Sequence, residues 1–145
     1  MPFTGNFTCN IFKTGVLDGN YDFGAGTTDV FKIALYTNNA TLNAETTAYT
    51  ATGEVSATGY TAGGETLTIT QVPTTGSSGN TAYISFANVS WNGAFTARGA
   101  LIYKYNGSTN PAICVLDFGS DKTSTAVFQV QFPSATNTSA IIRLS

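Results

Sequence analysis

A chain of 145 residues is long enough for one domain with a closed core, which needs neither a disulfide nor a metal to hold it. With no histidine and two cysteines, Ser-His-Asp and Cys-His catalysis are excluded and a zinc site is left short of ligands, so no cofactor is expected. Six Lys+Arg against eight Asp+Glu make no basic field to gather nucleic acid.

The start Met1-Pro2-Phe3-Thr4-Gly5-Asn6 lacks a secretory leader's pattern, and no run approaches the roughly eighteen apolar residues of a membrane helix, so the sequence reads as a soluble, cytosol-made protein with no membrane partner. Charged residues are 10% of the chain, and threonine is about one residue in six, which coats the surface with hydroxyls and amides in place of charge. Charge normally keeps soluble monomers apart, so this surface favours a standing protein partner. β-branched and aromatic residues outnumber the good helix formers, and strand is the expected state.

Residues 1–29 carry glycine, asparagine and aromatic side chains without regular alternation and are predicted to form an N-terminal arm, with the β-sandwich domain at 30–145. Phe31, Ile33 and Leu35 alternate with Lys32, Ala34 and Tyr36, a strand with one face on a core, and Asn38-Asn39 ends it. The segment Thr41 to Tyr49 is expected to make at most one helical turn capped by Thr41, because its threonines disfavour more. Turn signals then recur about every ten residues, at Gly53, Gly59, Gly63-Gly64, Gly76 to Gly79, Asn92-Gly93, Asn106-Gly107 and Gly119. Between them lie alternating runs at Leu67/Ile69, Ala82 to Phe86, Val89/Trp91, Phe95 to Lys104, Ala112 to Phe118, Ala126 to Phe132 and Ala140 to Leu144, with Gln129 and Gln131 facing out. About eight short strands separated by turns predict an all-β fold, a two-sheet antiparallel β-sandwich of jelly-roll type carrying the N-terminal arm.

Several local patterns invite a chemical reading. Asp18, Asn20, Asp22 and Asp29 sit at calcium-loop spacing, but Phe23 occupies the position that needs glycine, which favours a solvated Asp/Asn turn. Asp117-Phe118-Gly119 matches a kinase metal-binding tripeptide by accident in so short a chain; a strand ending at Phe118 and turning at Gly119, with Ser120 or Asp121 on the local backbone, is expected. Gly24-Ala25-Gly26 has no preceding strand to make it a phosphate loop. Glu54 and Glu65 flank a glycine-rich stretch and are either paired carboxylates for glycoside cleavage or exposed edge charges that discourage aggregation. Trp91, Tyr103 and Tyr105 either stack on sugar rings or pack in the core. Cys9 and Cys114 read as buried free thiols in preference to a disulfide.

Two blocks carry a resemblance. The first runs through Phe31-Lys32-Ile33-Ala34-Leu35-Tyr36-Thr37, Ala40-Thr41-Leu42, Thr47-Ala48-Tyr49-Thr50, Gly53-Glu54-Val55 and Thr58-Gly59-Tyr60-Thr61-Ala62-Gly63-Gly64. The second has Ala97-Arg98-Gly99-Ala100-Leu101-Ile102-Tyr103, Val115 to Lys122, Phe132-Pro133 and Ala140-Ile141-Ile142-Arg143-Leu144. Together they resemble a family of small virion structural proteins of tailed bacteriophages, with Asn20-Tyr21 departing where that family commonly has a histidine. The resemblance implies a non-enzymatic β-sandwich on the capsid surface, a head decoration or cement protein that binds the major capsid protein and is often a homotrimer. A tail or fibre domain that binds host-surface glycan is the alternative it leaves open. On the decoration reading the arm offers Phe7, Phe12 and Phe23 as partner-binding anchors, unless these rings merely cover their own sandwich.

Overall fold

The computed structural model describes residues 3–76 and 79–145. Ser77 and Ser78, the middle of the predicted Gly76 to Gly79 turn, lie outside them. The described residues form β1 (Phe7–Thr8), α1 (Asn10–Leu17), β2 (Val30–Tyr36), β3 (Glu65–Thr66), β4 (Ile69–Thr75), β5 (Ala82–Phe86), β6 (Val89–Asn92), β7 (Thr96–Tyr105), β8 (Ala112–Thr123), β9 (Val127–Val130) and β10 (Ile142–Leu144). All strand pairs are antiparallel. The fold is all-β and sandwich-like. Its sheets hold five strands in the order β1-β8-β7-β2-β3, three in the order β10-β5-β4, and two, β6-β9.

The alternation in β2 is borne out, and more is buried than alternation requires. Phe31, Ile33 and Leu35 face the small sheet, where Phe31 meets Phe86 of β5 at 6.4 Å between ring centres. The opposite face, with Ala34, Tyr36, Leu101 and Tyr103, is buried too, because the segment 40–64 folds over it: Tyr49 stacks on Tyr103 at 5.0 Å. Phe3 covers the same face where Gly99 leaves room; a methyl group there would stand 2.4 Å from the Phe3 ring. A central sheet covered on both faces reads as nearly continuous apolar sequence, as β7 and the first half of β8 do.

Residues 3–29, in the predicted arm, pack on the rest of the chain. Phe7 and Thr8 pair with Val115 and Cys114 of β8, and α1 follows directly, packed on the sheet through Phe12. Phe12 meets Tyr21 at 4.9 Å and Phe23 at 6.1 Å, and Phe23 stacks on Phe31 at 4.5 Å, so these rings belong to the same core as the sandwich. The segment Thr41 to Tyr49 forms no helix: Asn43 accepts the Glu45 N–H through its side chain, and Ala48 bridges to Pro111. Its threonine hydroxyls compete with helical bonding, as Thr46 does by accepting the Asn43 N–H. β8 does not end at Phe118. It bulges there, four residues opposite Arg98, and pairs again at Lys122 and Thr123 with β7.

Candidate functional site

The segment 49–64 converges on one carboxylate. Glu54 is half-buried; its Oε1 accepts the Tyr49 hydroxyl at 2.6 Å, and its Oε2 accepts the Tyr60 hydroxyl at 2.6 Å and the Gly63 N–H at 2.8 Å. The donors are themselves tied to the sheet. Tyr60 accepts the Leu35 N–H at 2.9 Å, and Tyr103 donates to the Gly63 carbonyl at 2.7 Å. Tyr36 donates to the Thr50 carbonyl at 2.7 Å. Gly64, with φ +78°, lies so close to β2 that a Cβ would collide with the Ile33 carbonyl. Burial pushes the Tyr103 phenol up to about 12, and burial together with Glu54 pushes Tyr36, Tyr49 and Tyr60 well above the usual range, so all four are neutral donors.

Glu54 is thus a fastening. Three of the roughly four acceptor positions of its carboxylate are taken by donors from its own chain. Glu65 is exposed in edge strand β3 and does not line the cavity of about 600 Å³ that Glu54 and Tyr60 border. The glycosidase pair is therefore not assembled around that cavity, and Glu65 matches the edge-charge alternative.

The Asp18 to Asp29 segment borders an open groove of about 820 Å³ between the end of α1 and the β7–β8 loop. Its carboxylates close a loop. Asp22 accepts the Gly24 N–H, Asp29 accepts the Asp22 N–H at 2.8 Å, and Lys104 pairs with Asp29 at 3.2 Å while donating to the Asn20 carbonyl. Among the described residues no three acidic or thiol groups gather as metal ligands, and the Asp/Asn turn alternative fits this bonding.

At the β8 bulge the local backbone is held by Asp117, where Ser120 or Asp121 was predicted. Its Oδ1 accepts the Gly119 N–H at 2.8 Å and Arg98 at 3.1 Å, which together hold the carboxyl below the usual range. Trp91 is 2% exposed and packs between Tyr60 and Phe128, and among the described residues its Nε1 has no hydrogen-bond partner. Neither it nor buried Tyr103 presents a face to a sugar. Tyr105 is exposed, with Lys32 over its ring at 4.4 Å.

Of the proposed anchors, Phe12 and Phe23 are buried within the chain's own core, the second of the two alternatives for these rings, and Phe7 is half-buried at the β1 edge. Cys9 and Cys114 are buried free thiols; desolvation raises Cys9 to about 11 and pushes Cys114 higher still, which leaves both unreactive. The Glu54 fastening escapes sequence reasoning because its donors lie up to nine residues away in an irregular segment; the clustering of Tyr49, Tyr60 and the Gly63-Gly64 pair around one acid is the signal that marks it. Comparison with family models, with curated proteins and with solved structures finds no match to this chain.

Proposed function

We propose that this chain is a non-enzymatic structural protein of a tailed-bacteriophage particle, a decoration protein that binds the major capsid protein and reinforces the shell as a homotrimer on the capsid surface. The observation that carries the reading is the Glu54 fastening: the half-buried acid of the irregular segment serves to pin that segment to the sheet, as a rigid passive scaffold requires. The blocks that resemble phage virion proteins support it. They fall mainly on β2, β7 and β8, three neighbouring strands, and on the fastened segment, with a shorter stretch on β10.

A low-charge surface suits dense packing on a shell, where symmetry repeats each weak contact and avidity makes attachment tight. Phe12 and Phe23 fill the core with their rings, so on this reading they back an attachment surface and do not project from it. The test is occupancy on purified shells of the major capsid protein: saturable binding on the order of hundreds of copies per shell is expected, as icosahedral symmetry repeats the site. Binding restricted to tails, or none, overturns the proposal. Sedimentation equilibrium at three times the chain mass is expected for the free protein.

A further inference from the structure

Two adjoining cavities of about 300 and 250 Å³ lie beside α1, and both are walled by Phe12 and Val16 from the helix and by Ile142 and Leu144 from β10. Leu17 stands at the rim, 89% exposed, the most exposed large apolar side chain among the described residues, and Leu144 is 53% exposed across from it. The slot is open to solvent and lined mainly by apolar side chains. Contiguous exposed apolar surface of this kind marks an interaction site.

Charge and backbone say what fits. Lys13 and Arg143, two of the chain's six cations, line the second cavity, where no carboxylate lies, while Asp22 lines the first, so the acidic contact belongs at the second. Among the described residues β10 pairs only with β5, and Thr8 of β1, the edge strand of the large sheet, lines the same cavity, so two sheet edges flank the slot. The opposite edge of the small sheet is guarded: β4 carries Pro73 and two register shifts, which obstruct strand addition. β10 has neither of these, and its three residues leave room for only a short added strand, beside Arg143.

We propose that this slot receives an extended acidic segment of a partner protein, which adds beside β10, inserts an aliphatic side chain between α1 and β10, and sets a carboxylate near Lys13 and Arg143. Strand addition supplies the main-chain bonds and the slot supplies the side-chain choice. A second copy docked slot to slot about a two-fold axis would set the Lys13 and Arg143 patch facing the same cationic patch, and a flat anionic lipid surface does not supply the extended backbone that an open sheet edge takes. The inference deepens the reading of the chain as an adhesion protein and rests on it.

The probe is an acetylated eight-residue peptide alternating glutamate with leucine and valine, titrated by NMR into the full chain, with a lysine-for-glutamate peptide as its partner. Shifts confined to α1, β10 and β1 are expected, with affinity falling about tenfold in Leu17→Asp and in Lys13→Glu, as loss of a central anchor does. Val127→Asp, at an exposed aliphatic position on β9, is expected to bind as the wild type. Leu17 is so exposed that its replacement leaves the core intact. Equal binding of the lysine peptide, shifts centred on β9 or β4, or no shifts overturn the proposal. So does self-association abolished by Leu17→Asp, or attachment to phosphatidylglycerol vesicles abolished by Lys13→Glu. On capsid shells, undiminished occupancy by Leu17→Asp overturns the slot and leaves the decoration reading standing; no occupancy by the wild type, with peptide shifts intact, removes that reading alone.

Discussion

Glu54 accepts three hydrogen bonds from groups that are each fixed by a second contact, so the carboxylate closes a circuit joining the segment 49–64 to β2 and β7. Glu54→Gln keeps the shape and turns one acceptor into a donor. The phenols can rotate away from it, but the Gly63 N–H cannot. A loss of about 2 kcal/mol in urea unfolding is expected, as for other hydrogen bonds to a charged acceptor. Glu65→Gln, at an exposed position in β3, is expected to stay within about 0.5 kcal/mol. Equal effects at the two sites would remove the distinction drawn between them. Gly64→Ala should cost more than either, because a methyl group there meets the Ile33 carbonyl of a buried strand and the φ of +78° is itself unfavourable to it.

Among the elements, β2 and β5 were legible because their alternating residues match the side-chain period of a strand, and the bounds of β5 coincide with the predicted Ala82 to Phe86 run. Helix α1 was not, since it is eight residues long, has no capping side chain at Cys9 and contains Gly15. That glycine has a tertiary cause: the Tyr21 ring lies against it, 2.4 Å from where a Cβ would stand. β8 was read short because Gly119, at φ +83°, carries the mark of a turn, and only pairing of Lys122 and Thr123 with β7 reveals a bulge. The boundary at residue 29 likewise follows composition, while packing crosses it. Deleting residues 1–29 removes Phe12 and Phe23 from the core, so circular dichroism is expected to report an unfolded chain; a trimmed but folded sandwich would contradict the packing described. Phe12→Ala alone should cost about 3–5 kcal/mol, the usual range for a buried phenylalanine.

For the whole molecule, the raised phenols and thiols set a limit on the alkaline side. Their folded values lie above the unfolded ones, near 9 for cysteine and 10 for tyrosine, so the neutral forms are favoured by folding. That stability is fully present below about pH 9 and is lost as pH climbs through 11 and 12, the values of Cys9, Tyr21 and Tyr103. Asp117 acts in the opposite sense, contributing above the ordinary carboxylate range and less as pH falls through its lowered value. Urea midpoints measured at pH steps should therefore form a plateau at neutral pH with a steep alkaline fall; a midpoint unchanged at about pH 11 would contradict the burial of the tyrosine cluster. The candidate site was legible to the extent that Glu54 and the aromatics could be named, but which of them pack together depends on how the segment 40–64 folds over the sheet, and no local period encodes that.

The two sealed sulfurs give this protein an internal clock. Cys9 begins the helix and Cys114 lies in β8, inside the five-stranded sheet, and iodoacetamide can reach neither until its neighbourhood opens. If carboxamidomethylation of Cys9 outpaces that of Cys114, the N-terminal elements peel away while the sheet survives; if the two proceed at one rate, the molecule opens as a single cooperative unit.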